Sequence, residues 1–203
     1  MTQTVASEDI AGSPEFRHLT SIDGIAIDLR YATPNNFVGR DLYSPFDCAW
    51  LHVDAAVALE TFVAWLKERR PGHTALVLDA LRPQRVQQQL WDALAGTGLQ
   101  MYLADPARGS IHSYGMALDI TLLDEQGREL DMGTGFDDMT NLSHPALEEG
   151  FLLSGELTDE QVANRRLLRE GMLAAGFFGI NTEWWHFDCG DRDLVRATYR
   201  RVL

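Results

Sequence analysis

Cysteine is scarce, with only Cys48 and Cys189 in 203 residues. A disulfide-stapled scaffold needs more, and the two read as free thiols. Positive charge is also short: 17 Lys and Arg stand against 30 Asp and Glu, for a formal net charge of −13. Nucleic-acid affinity depends on a basic patch that releases counterions, so nucleic acid is excluded as a partner. No apolar run approaches the ~20 residues that a bilayer span requires. The first residues carry Glu8, Asp9 and Glu15 and lack the basic-then-apolar order of a secretory leader. The expectation is no membrane association and a cytoplasmic location. Low-complexity tracts and internal repeats are missing too, which argues against disorder and solenoid architectures.

What is present suits one globular domain: 45% hydrophobic residues and five tryptophans supply a core. Residues 1–18 read as a flexible N-terminal tail, with Met1 to Pro14 polar and unpatterned, and residues 19–203 as the domain. Ile25 to Tyr31 alternates apolar and polar positions, as a half-buried strand does. From Asp54 as N-cap, Val57, Ala58, Phe62, Trp65 and Leu66 recur at helical spacing until Pro71-Gly72. Ala75 to Asp79 reads as a buried strand ending near Arg82, and Pro83 opens a helix to about Leu94. Ala117 to Leu123 is strand-like and followed by a turn at Asp124 to Gly127. Thr158 or Asp159 caps a helix to about Ala175, and a last helical segment covers roughly Asp191 to Arg201. Helices and strands intermix without strict βαβ alternation, so the predicted class is α+β, a small antiparallel or mixed sheet with flanking helices.

Two distant stretches carry the chemistry: Ser110-Ile-His112-Ser-Tyr-Gly115-Met-Ala-Leu-Asp119 and Glu183-Trp-Trp-His186. They supply two imidazoles, a carboxylate ligand and a spare carboxylate, with no cysteine, which is the donor set of a catalytic rather than a structural zinc site. His112 and Asp119 would face opposite sides of a continuous strand; Gly115 permits a turn that brings them together, with His112 in a loop entering the Asp119 strand. Glu183 and His186 require a helical turn or a bulge to share a face. Zinc held by His112, Asp119 and His186 would keep a net charge of about +1 and acidify a water. Glu183 is then the candidate base that moves the proton to the leaving amine. Arg82 is the candidate oxyanion stabiliser, oriented by Asp79. The Asp137-Asp138 pair offers a carboxylate for a substrate ammonium group. His18, His52, His73 and His144 read as structural or solvated, as a lone histidine usually is.

These motifs resemble the zinc D-Ala-D-Ala peptidases. With Asp28 to Gly39, Asp79 to Pro83, Met132 to Asp137 and Glu183 to Phe187, residues 20 to 200 look like the VanX-type D-alanyl-D-alanine dipeptidases. The resemblance implies a Hedgehog/DD-peptidase-like fold and one zinc per chain on His112, Asp119 and His186. It further implies Glu183 as base, Arg82 as transition-state stabiliser, Ser110 as a substrate contact and Asp137 as ligand for the substrate amine. Ala80 and Leu81 depart from the family's Gly-Tyr before the arginine, and Cys189 replaces an aromatic; both bear on substrate preference. The implied reaction is hydrolysis of D-Ala-D-Ala, or a close D,D-dipeptide, in peptidoglycan precursor turnover. Such small side chains predict a small, closed pocket that reads both charged ends of the substrate. The alternatives are a carboxypeptidase or endolysin acting on longer peptidoglycan peptides through an open groove and, more distantly, a non-catalytic zinc module.

Overall fold

Two apolar runs, β-branched and leucine-rich, pair at the centre of the molecule and are buried on both faces, which is why neither alternates along its length. The computed structural model describes residues 3–203. In chain order its elements are β1 (Thr4–Val5), β2 (Phe16–His18), β3 (Ile25–Ile27), β4 (Trp50–His52), α1 (Val53–Arg69), β5 (Thr74–Asp79) and α2 (Gln84–Ala93). After a long irregular stretch follow β6 (Ala117–Leu123), α3 (Glu148–Ser154), α4 (Asp159–Ala174), β7 (Phe177–Gly179), β8 (His186–Cys189), α5 (Arg192–Thr198) and β9 (Arg201–Val202). The main sheet runs β3-β5-β6-β8-β7, with β3 and β5 parallel and the other pairs antiparallel. The fold is α+β, a mixed sheet with helices packed against it.

The helix starts follow their capping chemistry. Thr158 and Gln161 form a reciprocal capping box at α4. At α1 the cap is His52, whose ring nitrogen accepts from the Asp54 N–H, so the helix begins one residue before Asp54. Its buried face is Ala55, Ala56, Leu59, Phe62 and Leu66, whereas Val57, expected inside, is 57% exposed. Helices α1 and α4 pack closely at Gly171, where a Cβ would come within 2.6 Å of both Phe62 and Trp65.

Three expectations needed correction. The half-buried strand from Ile25 stops at Ile27 and gives way to a 3-10 turn over Arg30–Ala32, which buries Tyr31. The last helix ends at Thr198, because Arg201 and Val202 pair in parallel with Thr4 and Val5. That pairing also orders the segment expected to be a tail: within it Val5, Ile10 and Phe16 are buried with Leu81 and Val202. A short unpatterned segment gains its order from distant partners, which no local periodicity reveals. Met1 and Thr2 of that tail lie outside the described residues. Cys48 and Cys189 are buried free thiols, as expected. Among the described residues, no helix is long and apolar enough to cross a membrane.

Candidate active site

Strand register builds the site. In β5 a register shift between Val77 and Asp79 sets Asp79 opposite Asp119 on β6, and Asp119 in turn lies opposite His186 on β8. Facing carboxylates repel, and Arg82 bridges them: its Nη2 lies 2.7 Å from Asp79 Oδ2 and 3.1 Å from Asp119 Oδ2. Arg82 Nε donates to Asp79 Oδ2 at 2.8 Å, and Nη1 to the buried Gln87 Oε1 at 3.1 Å. Asp79 also accepts from Tyr43 Oη and from the Ala80 N–H. The orienting role expected of Asp79 therefore has its geometry, and the guanidinium lies over the Tyr31 ring, 5.0 Å from its centroid.

His112 reaches Asp119 through a tight turn. Ile111–Tyr114 form a 3-10 turn, and Gly115 follows with φ of 65°. A Cβ at Gly115 would approach the His52 backbone nitrogen to 2.7 Å, so this residue answers both the left-handed conformation and the close approach. Between Glu183 and His186 neither a helical turn nor a bulge occurs. The chain bends at Trp184 and Trp185 and enters β8 only at His186, pinned by the bond from the Ile120 N–H to the Trp185 carbonyl.

His112, Asp119 and His186 offer one ligand atom each within 4.8 Å of one another, the only such group among the described residues. Each ring has one nitrogen held from outside the group. His112 Nδ1 donates to the Ala80 carbonyl at 2.7 Å, and His186 Nε2 donates to Asp188 Oδ1 at 3.0 Å. The inner nitrogens, His112 Nε2 and His186 Nδ1, face each other at 3.1 Å, with Asp119 Oδ1 at 3.3 and 3.0 Å from them. Two ring nitrogens and a carboxylate oxygen converging in one buried place form a cradle for a cation, and the outer bonds that hold both rings are those a metal-binding histidine needs. The residues fit a divalent metal.

The surrounding charges tune the groups. Asp119 is buried, yet His112 and His186 hold its carboxyl well below the usual carboxylate range. Burial opposes charging His186, but Asp188 and then Asp119 outweigh it and raise its proton affinity well above that of an ordinary imidazole. Burial, reinforced by Asp119, lifts the Glu183 carboxyl to about 7 against the pull of His186 and Arg82.

A cavity of about 460 Å³ opens over this group, lined also by Tyr31, Ser110, Asp137 and Glu183. It is roomier than the small pocket expected for an alanine dipeptide, because its mouth is framed by the irregular segments 101–108 and 180–183 rather than by strands. Asp137 faces it, while Asp138 is absorbed in a local turn with the Thr140 N–H and hydroxyl. Asp137 is the one non-glycine residue with positive φ among those described, at 60°, and accepts from Tyr31 Oη at 2.8 Å. Burial drives its carboxyl well above the usual range, which marks an anion short of a cationic partner. Arg82, Ser110, His112, Asp119, Asp137, Glu183 and His186 thus all line this cavity, while Asp79 and Asp138 do not.

Sequence reasoning missed Tyr31, Gln87 and Asp188 as functional neighbours. Asp188 had a signal: two residues after His186 on a strand, it shares that residue's face. Tyr31 meets Asp137 across 106 residues, and Gln87, though five residues from Arg82, carries no local pattern that marks it.

A mixed sheet presenting a buried His-Asp-His cradle beside a titratable cavity carboxyl defines a metallohydrolase. Comparison makes this specific: the M15 peptidase family described as D-Ala-D-Ala dipeptidase matches residues 15–202, and the chain belongs to that family. The D-alanyl-D-alanine dipeptidase of Escherichia coli (strain K12) is 38% identical over 164 residues, 81% of this chain and 78% of that protein. The D-alanyl-D-alanine dipeptidase of Enterococcus faecium is 29% identical over 199 residues, 88% of this chain and 92% of that protein. A solved LdcB LD-carboxypeptidase superposes with a TM-score of 0.48 at 13% identity, over 91% of this chain and 72% of that one.

Proposed function

We propose that this protein is a zinc-dependent dipeptidase that hydrolyses D-Ala-D-Ala to free D-alanine, in peptidoglycan precursor turnover in the cytoplasm. The observation that carries the reading is the convergence of three potential ligand atoms of His112, Asp119 and His186 beside a carboxyl with a pKa of about 7. One zinc per chain, held by His112, Asp119 and His186, supplies Lewis acidity when bound, acidifying water and polarising the scissile carbonyl.

The remaining steps belong to side chains. Glu183 takes the proton of the attacking water and passes it to the leaving amine; an acid-base group serves both directions best when its pKa lies near the working pH. Arg82, immobilised by Asp79, Asp119 and Gln87, adds fixed positive charge where the oxyanion develops, at no reorganisation cost. Asp137 receives the substrate ammonium, which supplies the cation its buried carboxylate lacks. Ser110, 4% exposed in the cavity wall, contacts the substrate.

The cavity's width favours one other reading, cleavage of D-Ala from longer peptidoglycan stems. Alanine release from D-Ala-D-Ala by metal-quantified protein, beside L-Ala-L-Ala and a peptidoglycan pentapeptide, decides between them. Metal-dependent cleavage of the D,D-dipeptide alone is the expected outcome. Efficient pentapeptide cleavage would reassign the protein as a carboxypeptidase, and no cleavage with one zinc bound would reject the reaction.

A further inference from the structure

Three arginines, Arg108, Arg192 and Arg196, border the cavity of this acidic protein. Their engagements differ. Arg192 Nε donates to Asp188 Oδ2 at 2.5 Å, and Asp188 is itself committed to His186, so that charge is spent on the metal cradle. Arg196 Nε donates to the Gly109 carbonyl at 3.1 Å, and its Nη1 to Asp193 Oδ1 at 3.3 Å and to the Arg192 carbonyl at 3.5 Å. Arg108 Nη2 donates to the same Asp193 oxygen at 3.3 Å. Two guanidiniums therefore share one carboxylate, and that carboxylate is 82% exposed and screened by water. Burial, and then the repulsion of Arg108, lower the proton affinity of Arg196 below that of an ordinary guanidinium, as expected of a cation short of negative charge.

Position makes the surplus useful. Arg196 holds the carbonyl of Gly109, the neighbour of Ser110, so its charge sits beside the serine of the cavity wall. A zwitterionic dipeptide brings an ammonium and a carboxylate. The ammonium has Asp137. The charge of Arg82 is already shared by Asp79 and Asp119, and the proposed function directs what it has left to the oxyanion rather than to the carboxylate.

We propose that Arg108 and Arg196 form a carboxylate-recognising subsite that reads the free C-terminus of the substrate, with Asp193 as the exchangeable anion that occupies the pair between turnovers. This rests on the dipeptidase reading and adds a selection rule: the substrate must end in an unblocked carboxylate.

The test compares D-Ala-D-Ala with its C-terminal amide, by kcat and KM separately, in the metal-loaded wild type, Arg108→Gln and Arg196→Gln. Loss of one charge-assisted contact is worth about tenfold or more in affinity. The wild type should favour the free acid by at least that factor, and each variant should raise KM for the free acid so that the acid-to-amide ratio falls toward one. A ratio unchanged in both variants overturns the proposal, even where overall activity drops. Arg108 is 64% exposed and bonds only an exposed carboxylate, so Arg108→Gln folds whatever Arg196→Gln does, and its ratio alone is decisive. A wild type that cleaves neither compound removes the dipeptidase reading and this proposal with it; one that cleaves both equally removes only this proposal.

Discussion

The floor and the rim of the cavity are built on opposite terms. The floor centres on strands β5, β6 and β8 and the 3-10 turn that carries His112; Asp79, His112 and Asp119 are at most 2% exposed there, and outside the cradle their polar atoms have named partners. The rim consists of irregular segments, with Met101 74% exposed and Arg108 64% exposed. It is moored at few points: Gln84 and Gln87 of α2 hold the carbonyls of Pro106 and Ala104, and Tyr102 bonds His144. Cross-strand pairing fixes positions to a fraction of an ångström, which metal coordination requires, whereas loops tolerate exchange of the residues that select a substrate. On the proposed function, Asp119 and His186 bring metal-ligand chemistry from the sheet, whereas the base Glu183 and the selecting residues Ser110 and Asp137 come from irregular segments.

The largest effect expected from this division is at the floor: His186→Ala should lose bound metal and activity together, measured by metal analysis and alanine release. A fully metallated, active variant would break the comparison at its base. Glu183→Gln should keep its metal while kcat falls about 10²–10⁴-fold. In the wild type the base is disabled by protonation, so activity should fall as pH drops through about 7, or somewhat lower because a bound cation favours the carboxylate. Linkage carries the opposite sign for stability. A carboxyl raised in the folded state contributes stability below its unfolded pKa and loses it as pH rises through about 7, so Glu183→Gln should raise the melting temperature at pH 8 but not at pH 4.

Asp188→Asn tests whether the outer bond to His186 belongs to the floor. Metal affinity should weaken about 10–100-fold in a chelator competition, and unchanged affinity would detach Asp188 from the site. At the selecting side, Asp137→Asn should raise KM for the dipeptide with a smaller change in kcat, because an amide cannot pair with an ammonium. A dominant kcat effect would move Asp137 from binding to chemistry. Met101→Ala should be smallest, within about 0.5 kcal/mol of wild-type stability by denaturant titration.

The same division governs what could be read from the chain. Strands β5 and β6, helix α4 and the turn at Gly115 announce themselves through contiguous apolar runs, a capping box and a glycine, all of them local signals. Helix α3, the β1–β9 pairing and the arginine border give no such sign. Tyr31 and Asp137 meet across 106 residues, and only the packed fold brings them together.

By itself, the sequence determined the donor set: two imidazoles, a ligand carboxylate and a base, in motifs short enough that covalent connection limits their geometry. Tertiary structure decided which nitrogen of each histidine faces the cradle, that Asp137 rather than Asp138 enters the cavity, and that two arginines share one counter-ion. Those outcomes depend on strand register and on partners tens of residues away, and non-local contacts are chosen by burial and hydrogen-bond satisfaction over the whole fold rather than by any local run of residues.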